Sequence, residues 1–352
     1  MTEVSSGSAP YIYVSTRMRV RKSKLIAKDE YRRMLNMGLP EFTRLVEEME
    51  YKREIDELSS SFSGVDLIEN AMSWNLAKEY QRIINLAPGE LKGFTRDYLH
   101  KWDIQNILTI LRGKQLGFSE GKIKAVLVPA GALDAAALDR MLSESSIERI
   151  VETLPIKAIS EIISEKLNAA LEKKSFGEIE NDLYKYYYAT LLKAGRGGMM
   201  GADAFLKYVV FEIDIKNISN LFRIRAQGAA KETEEQKFWI EGGNIKPEEF
   251  ARLTGAPLEE VVDSLKKKVK APVLLEALEA LREKKPVYEI ESSLTTAQLE
   301  QMNRMSKRHP FSISPLLVYL ERKKYEVSNL RALARGKQAG LDAETLEHYL
   351  VM

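Results

Sequence analysis

One short signature occurs three times in this chain of 352 residues, and it constrains the fold more than any other feature. Each copy reads an acidic residue, Ile or Val, any residue, Asn, and Ile or Leu. An arginine, a second basic residue and a glycine follow nine, eleven and fourteen residues after the acid. The acids of copies one, two and three are Asp103, Asp214 and Glu326, which lie 111 and 112 residues apart. An Ile-Glu pair lies 35 or 36 residues before each acid, at Ile68-Glu69, Ile179-Glu180 and Ile290-Glu291.

A repeat of this length predicts three similar domains rather than a solenoid, whose repeats run to about 20–50 residues. The predicted domains are 11–132, which includes a basic N-terminal helix, 133–244 and 245–352. An apolar cluster recurs about ten residues after each signature glycine, so copy three ends where a fourth copy would begin. The N-terminal segment is available to complete that position. Because the N-terminal segment can complete the place after copy three, the repeat pattern favours a closed three-fold arrangement over an open array.

Apolar spacing within each copy is typical of helices. Leu39, Phe42 and Val46 in copy one follow the i, i+3, i+7 pattern of a single helical face, and the other copies repeat it. Alternation typical of strands is nearly absent. Its exceptions, Tyr11–Val14 and Ala125–Pro129, fit either a short extended piece or a helix. The sequence therefore predicts an all-α protein.

On a helix with about 100° per residue, the acid, the Asn and the apolar signature positions fall on one face. Such a face is an interior face with a few polar positions, which must be hydrogen-bonded or cost about 1–3 kcal/mol each. Two interpretations stay open for these side chains: they bond to a neighbouring helix and fix its register, or they face a partner. The polar signature positions are Asp103, Asn106, Asp214, Asn217, Glu326 and Asn329.

The three signature arginines point away from that face. Either each pairs with the Glu of the Ile-Glu helix inside its own domain, or the three converge on the pseudo-axis; they are Arg112, Arg223 and Arg335. The glycines are expected just past the helix C-terminus, with the second basic residue near the negative end of a helix dipole. These positions are Gly117, Gly228 and Gly340 for the glycines, and Lys114, Arg225 and Lys337 for the basic residues.

Composition argues against several classes of chemistry. The 53 basic and 51 acidic side chains leave a net charge of +2, whereas a nucleic-acid binder usually has a larger basic surplus. The absence of cysteine excludes disulfides and thiolate metal sites. Three histidines lack ligand spacing, and the Gly195–Gly201 stretch lacks the Lys-Ser/Thr ending of a phosphate loop. We therefore expect no catalytic residue, metal, cofactor or small-molecule substrate.

The N-terminal region carries the one concentrated charge feature. Met1–Pro10 has no apolar stretch, so no signal peptide is expected, and no run approaches the roughly 18 apolar residues that span a bilayer. The following segment is a candidate partner interface that could attract an acidic partner or phospholipid headgroups, although a solvated helix face would show the same pattern. This basic segment contains Arg17, Arg19, Arg21, Lys22 and Lys24.

Several of these stretches together resemble a known family. The basic run from Arg17 to Leu25, Ile68-Glu69-Asn70, and Asp103–Ile107 followed by Arg112 resemble the C subunit of archaeal A-type ATP synthases. The eukaryotic relative is the d subunit of the vacuolar ATPase. The resemblance covers residues 11–352 and includes the triplication.

The resemblance implies a funnel-like arrangement of three similar helical domains with pseudo-three-fold symmetry. It implies a non-catalytic central-stalk protein, peripheral on the cytoplasmic face of the cell membrane, whose partners are the central shaft and the proteolipid ring. Such a protein couples shaft and ring for proton or sodium transport. The alternative is a helical scaffold that binds nucleic acid or an acidic lipid surface through the basic segment.

Overall fold

A computed structural model describes residues 9–197, 202–227, 235–269, 271–283 and 286–351. The structure is 78% helical with no strands in these ranges, which confirms the all-α prediction. Tyr11–Val14 is helical, and Ala125–Pro129 is turn and coil. Three regions discussed above lie outside the described residues: Gly228, residues 198–201 of the glycine stretch, and residues 1–8, where no signal peptide is expected.

Eighteen α-helices and one short 3-10 helix, η1, form within the described ranges. They are α1 (Ala9–Lys22), α2 (Lys28–Leu35), α3 (Leu39–Glu48), α4 (Lys52–Leu58), α5 (Gly64–Leu86), α6 (Gly89–Gln115), α7 (Glu120–Lys124), α8 (Ala135–Ser143), α9 (Ile147–Glu152), α10 (Lys157–Glu172), α11 (Gly177–Gly195), α12 (Ala202–Gln227), η1 (Glu235–Phe238), α13 (Pro247–Gly255), α14 (Leu258–Lys268), α15 (Pro272–Ala280), α16 (Val287–Arg308), α17 (Ser314–Gln338) and α18 (Ala343–Tyr349).

The helix order repeats three times. Copy one contributes α2–α6, copy two α8–α12 and copy three α13–α17. Each copy has three helices of 6–16 residues followed by two of 19–27 residues. The last helix of each copy, α6, α12 or α17, carries the signature and is called the signature helix below. The boundaries 11–132, 133–244 and 245–352 stay a prediction.

The chain divides into two compact units that cut across the copies. The first unit comprises Met1–Lys24, Lys185–Arg322 and Val351–Met352, and the second comprises Leu25–Tyr184 and Lys323–Leu350. The second unit thus combines most of copy one with the short helices of copy two and the end of copy three. Elements distant in sequence are therefore packed together within one unit.

In the first unit, the signature helix of copy two packs against copy three. One apolar core joins α12 to α13–α16. Ile218 and Leu221 of α12 are fully buried with Phe250 of α13 and Leu265 of α14. In α1, which belongs to the same unit, the buried side chains occupy a single face. The opening helices of copy three therefore cover the apolar face of the preceding signature helix.

The second unit repeats this packing with other copies. The signature helix α6 contacts α7, α8 and α9, and α18 contacts α2. Ile107, Ile110 and Leu111 of α6 are fully buried. A helix enclosed in this way carries apolar residues on most of its circumference, unlike the stripe of a surface helix. Copy two thus begins against the last helix of copy one.

The two described signature glycines end their helices as predicted. Gly117 and Gly340 have φ values of 69° and 73°, in the left-handed region that glycine adopts without steric cost. Phe118 N donates to Gly113 O, and the corresponding bond recurs after Gly340, both at 2.9 Å. This 6→1 bond, with the 5→2 bond beside it, is the Schellman arrangement that satisfies carbonyls at a helix end.

Candidate functional site

The acid of copy one is buried and accepts three hydrogen bonds. Asp103 accepts from the backbone N–H groups of Ala132 and Leu133 at 2.9 and 2.8 Å. Its Oδ2 atom also lies 2.8 Å from Nδ1 of His100, one turn earlier on α6. This bond, together with the negative charges of Asp103 and Asp97, raises the pKa of His100 although burial opposes the shift. The carboxylate therefore holds the chain just before α8.

The acid of copy two makes the same kind of contact with copy three. Asp214 accepts from Asn244 N and Asn244 Nδ2, each at 2.7 Å, and from the backbone of Ile245. Burial raises the pKa of Asp214, and the hydrogen bonds from Asn244 and Ile245 oppose this rise. The residue three positions before this acid is Phe211, so no cation stands where His100 stands in copy one.

The acid of copy three reaches the beginning of copy one. Glu326 Oε2 accepts from Ile26 N at 2.8 Å, and its Oε1 accepts from Tyr51 Oη and Lys323 Nζ, both at 2.7 Å. Lys323 lies three residues before the acid, and its side chain is only 1% exposed. Burial and the charge of Glu326 hold the pKa of the Tyr51 hydroxyl well above its ordinary value.

The backbone partners occupy equivalent positions in the repeat. Leu133, Ile245 and Ile26 are the first apolar residues of copies two, three and one. Each acid therefore binds the start of the next copy, and the third acid binds the start of the first copy. Of the two interpretations open for these acids, a neighbouring helix or a partner, the contacts favour the first kind, because the acceptor atoms are occupied by the chain itself.

Two of the three signature asparagines hold the same connecting segments a few residues earlier. Asn106 donates to Val128 O at 2.7 Å and accepts from Val128 N at 2.9 Å. Asn217 makes the same two bonds with Ile240, both at 2.8 Å. One amide side chain thus satisfies both backbone groups of a buried residue, as buried polar groups require. Asn329 hydrogen-bonds the side chain of Tyr31, on α2 of copy one.

The arginines pair with the Ile-Glu glutamates, but not within the predicted domains. Arg112 Nη2 lies 2.6 Å from Glu180 Oε2, between copies one and two. Arg335 binds Glu69 at 2.7 Å, from copy three to copy one, and also Asp66 at 2.8 Å.

The third such pair joins copies two and three. Arg223 binds Glu291, and the pair lowers the pKa of that carboxyl even though burial opposes the shift. Pairing inside one domain was therefore the wrong prediction, because each arginine finds its glutamate in the next copy. Convergence of the three arginines on the pseudo-axis stays a prediction. A helical pattern identifies the partner residue type but not the copy that supplies it.

The second basic residues make a fourth link between copies. Each donates to carbonyl oxygens at the C-terminal end of the first short helix of the next copy, which also suits the helix dipole. Lys114 donates to Glu144 after α8, Arg225 to Leu253 and Thr254 of α13, and Lys337 to Leu35 and Met37 at the end of α2.

We call the set of contacts that joins one copy to the next a junction. Several residues at the junctions were not predicted from the sequence. His100 and Lys323 both lie three residues before their acid, which on a helix is one turn and within reach of it. Gly131 and Gly243 lie two residues before the start of the next copy, and a Cβ at either position would clash with the acid carboxylate. Each feature is visible in the sequence of two copies out of three: a basic side chain three residues before the acid, and a glycine two residues before the next copy.

A cavity of about 750 Å³ opens beside the first of these junctions. It is bounded by α5, α6 and the segment before α8, and Trp74, Arg82, Arg96 and His100 are among its lining residues. Its volume lies in the range of small-molecule sites. Because His100 lines the cavity and also binds Asp103, the cavity adjoins the copy-one junction directly.

The side chains of the basic segment differ in exposure. Arg17, Arg19 and Lys24 are exposed, whereas Arg21 and Lys22 are partly buried. The Arg19 guanidinium donates to Pro310 O at 3.3 Å.

Two properties of the described residues concern metal binding and membrane insertion. No group of three or more His, Cys, Asp or Glu side chains is placed to hold a metal ion in the described ranges. None of the helices described is long and apolar enough to cross a membrane.

The contacts define the class of the molecule: a helical repeat protein whose successive copies are joined by buried carboxylates and by ion pairs nearer the surface. A family model described as the ATP synthase (C/AC39) subunit matches residues 14–349. The C subunit of the A-type ATP synthase of Methanococcoides burtonii is 36% identical over 99% of this chain and 96% of its own length. The C subunits of the Methanosarcina acetivorans and Haloferax volcanii A-type enzymes are 35% and 34% identical, over 98% and 99% of this chain and 94% and 99% of their own lengths.

The chain therefore belongs to the ATP synthase (C/AC39) subunit family, which confirms the resemblance found in the sequence.

Proposed function

We propose that this chain is the non-catalytic central-stalk subunit of a rotary A-type ATP synthase. It couples the central shaft to the membrane proteolipid ring during proton or sodium transport, from a peripheral position on the cytoplasmic face of the membrane. The observation that carries this proposal is the match over nearly the whole chain to proteins named as the C subunit of A-type ATP synthases.

The contacts between copies support a mechanical role. Torque passes through a body only if its parts do not slip against each other. Each junction is held by the signature acid, the arginine and the second basic residue, and the third junction returns to copy one. Because the buried signature acids must have their hydrogen bonds made in full or be costly, the junctions favour one arrangement over neighbouring ones. We propose that the three repeat domains close into the pseudo-three-fold, funnel-like body that the resemblance implies.

In this proposal the signature residues are structural. They hold backbone groups and carboxylates of the same chain and perform no chemistry. Titration of the chain with ATP at millimolar concentration should therefore give no saturable heat by calorimetry. A stoichiometric isotherm would instead indicate a nucleotide site and an enzymatic role.

Affinity capture tests the coupling role directly. The immobilised chain is incubated with detergent-solubilised membranes that contain an A-type ATP synthase lacking its own copy of this protein. We expect retention of the shaft proteins and the proteolipid ring, identified by mass spectrometry, with an unrelated helical protein as the control. Retention of nucleic acid alone, or of neither shaft nor ring, would contradict the proposal.

A further inference from the structure

The outer face of α1 exposes apolar side chains among its cations. Ile12, Tyr13 and Val20 are 42%, 52% and 56% exposed. Val20 lies eight residues after Ile12 and seven after Tyr13, so the three fall on one side of the helix. Arg17 lies over the Tyr13 ring at 5.7 Å from its centroid. Large apolar side chains exposed together mark an interaction surface more often than they occur on ordinary solvated faces.

The same surface continues beyond α1. Phe311, in the turn between α16 and α17, is 53% exposed, and the Arg19 guanidinium lies 5.8 Å from its ring centroid. We call Ile12, Tyr13, Val20 and Phe311 the apolar rim.

A cationic pocket opens at the C-terminal end of α1. It has a volume of about 250 Å³, and Arg19, Lys22 and Lys307 supply its charged lining. Lys22 is partly buried, and its Nζ donates to Asn303 Oδ1 at 2.7 Å. We call this the α1 pocket.

The α1 pocket holds an excess of positive charge. Burial lowers the pKa of Lys22, and the charges of Arg322, Lys307 and Arg19 lower it further. The Nε atom of Arg322 is buried and has no hydrogen-bond partner in the described part of the chain. Glu300 is the acid that acts on Arg322. Cations crowded together in this way are stabilised by an added anion.

We propose that the α1 pocket binds the phosphate of an anionic phospholipid headgroup, while the apolar rim enters the membrane interface. Arg19, Lys22 and Lys307 converge on a space that accommodates a phosphate, whose oxygens accept charge-assisted hydrogen bonds. Cations attract anionic lipid, and neighbouring aromatic and aliphatic side chains bury in the boundary between headgroups and acyl chains.

The apolar rim favours lipid over nucleic acid as the source of the phosphate. A nucleic-acid groove usually combines a broad basic stripe with aromatic platforms. This chain has a net charge of only +2 and exposes Ile12 and Val20 on the helix that supplies Arg19 and Lys22 to the pocket. This inference concerns the isolated chain and does not depend on the role as a rotary coupler.

Vesicle sedimentation tests the proposal. The chain is mixed with vesicles of phosphatidylcholine alone or with phosphatidylglycerol added, at low and high salt. Each cation near an anionic surface contributes about fivefold to partitioning, so Lys22→Gln with Lys307→Gln should lower binding about 25-fold. The control pair, Lys246→Gln with Lys267→Gln, removes the same charge from exposed positions of the same unit and should lower binding far less. Equal losses would overturn the pocket, because net charge alone would then explain binding.

Two further measurements distinguish a lipid headgroup from free phosphate or nucleic acid as the ligand. Phe311→Ser should weaken binding to the anionic vesicles even at high salt, because apolar insertion is not screened. Inorganic phosphate should compete only weakly with vesicles. Full displacement by millimolar phosphate, or by a DNA duplex with the same dependence on Lys22 and Lys307, would overturn the assignment to lipid. So would equal binding to the vesicles of phosphatidylcholine alone.

Discussion

At the residue scale, three carboxylates in equivalent positions have different neighbours one helical turn earlier. Asp103 has His100, Glu326 has the buried Lys323, and Asp214 has Phe211. A buried carboxylate without a nearby cation is destabilised in its charged form, which is why burial raises the pKa of Asp214. All three acids hold the start of the next copy, but the free energy of burying their charge differs because their neighbours differ.

Removing the charge from two of these acids, Glu326 and Asp214, should show that their burial costs different amounts of free energy. Glu326→Gln removes the nearer of the two carboxylates that pair with the buried Lys323 and leaves only the half-exposed Glu50, at 3.9 Å. It should destabilise the fold by about 3–5 kcal/mol. Asp214→Asn removes a charge that burial already disfavours, so its cost should be smaller, about 1–3 kcal/mol. Chemical denaturation measures both. Combining Glu326→Gln with Lys323→Met should recover part of the loss, and equal losses for the two single variants would contradict the reasoning.

Truncating the first acid distinguishes a structural role from a partner-binding role. Asp103→Ala leaves the N–H groups of Ala132 and Leu133 without an acceptor, so the free energy of unfolding should fall by about 1–3 kcal/mol. Asp214→Ala should behave alike. Melting temperature and shaft capture are measured on both variants. Unchanged melting with lost capture would show that these acids act at the partner interface.

The His100–Asp103 pair should make stability depend on pH. The folded pKa of His100 is raised above 6.5, its value in the unfolded chain. The stability that the pair contributes is therefore complete below pH 6.5 and is lost as pH rises through the folded pKa. The difference in unfolding free energy between the native chain and His100→Gln should shrink from pH 6 to pH 9, as measured in urea. A difference that grows with pH would contradict the assigned interaction.

At the scale of elements, the segments before α8 and α13 lie very close to the signature helices. A side chain at Gly131 or Gly243 would occupy the space of the Asp103 or Asp214 carboxylate. Neither of these two glycines has a positive φ, although the neighbouring Gly242 does, at 108°. Close approach of the backbone to the acid, rather than conformational freedom, explains the glycines at both positions.

Alanine substitution tests this close approach. Gly131→Ala and Gly243→Ala should each lower the unfolding free energy by about 1–3 kcal/mol, because the buried carboxylate must move away from its donors. Gly93 in α6 is the matched control, because a Cβ there meets nothing within 4 Å. Gly93→Ala should stabilise the helix by up to about 1 kcal/mol. Thermal denaturation compares the three, and a neutral Gly131→Ala would argue against the close packing.

At the scale of the whole molecule, the end of the chain completes a unit that begins near residue 25. Glu326 binds Ile26 and Tyr51, and Arg335 binds Glu69, across 266 to 300 residues. Because these contacts join distant parts of the chain into one unit, we expect the core of copy one to depend on the C-terminal part of that unit.

Removing residues 323–352 tests this dependence. Backbone amides in α4 and α5 should lose protection in hydrogen exchange, because their partners at Tyr51 and Glu69 are absent. Amides in α13 and α14, which belong to the first unit, serve as the internal control and should keep most of theirs. Unchanged protection in α4 and α5 would show that copy one holds its fold without copy three.

The sequence by itself determined the triplication, the all-α class, the interior face of the signature helix and the glycines that end it. Each of these follows from local periodicity or backbone sterics, which a linear pattern records directly. The family was also within reach, because its combination of stretches is spread along the whole chain.

Only the tertiary structure decided which copy supplies each partner. Glu69, Glu180 and Glu291 occupy the same repeat position, so the pattern around Arg112 fits each of them equally well. Distances in the folded chain select Glu180 of the next copy. For the same reason the compact units cross the repeat: a helical pattern specifies which face is buried, but packing in space determines which helix covers it.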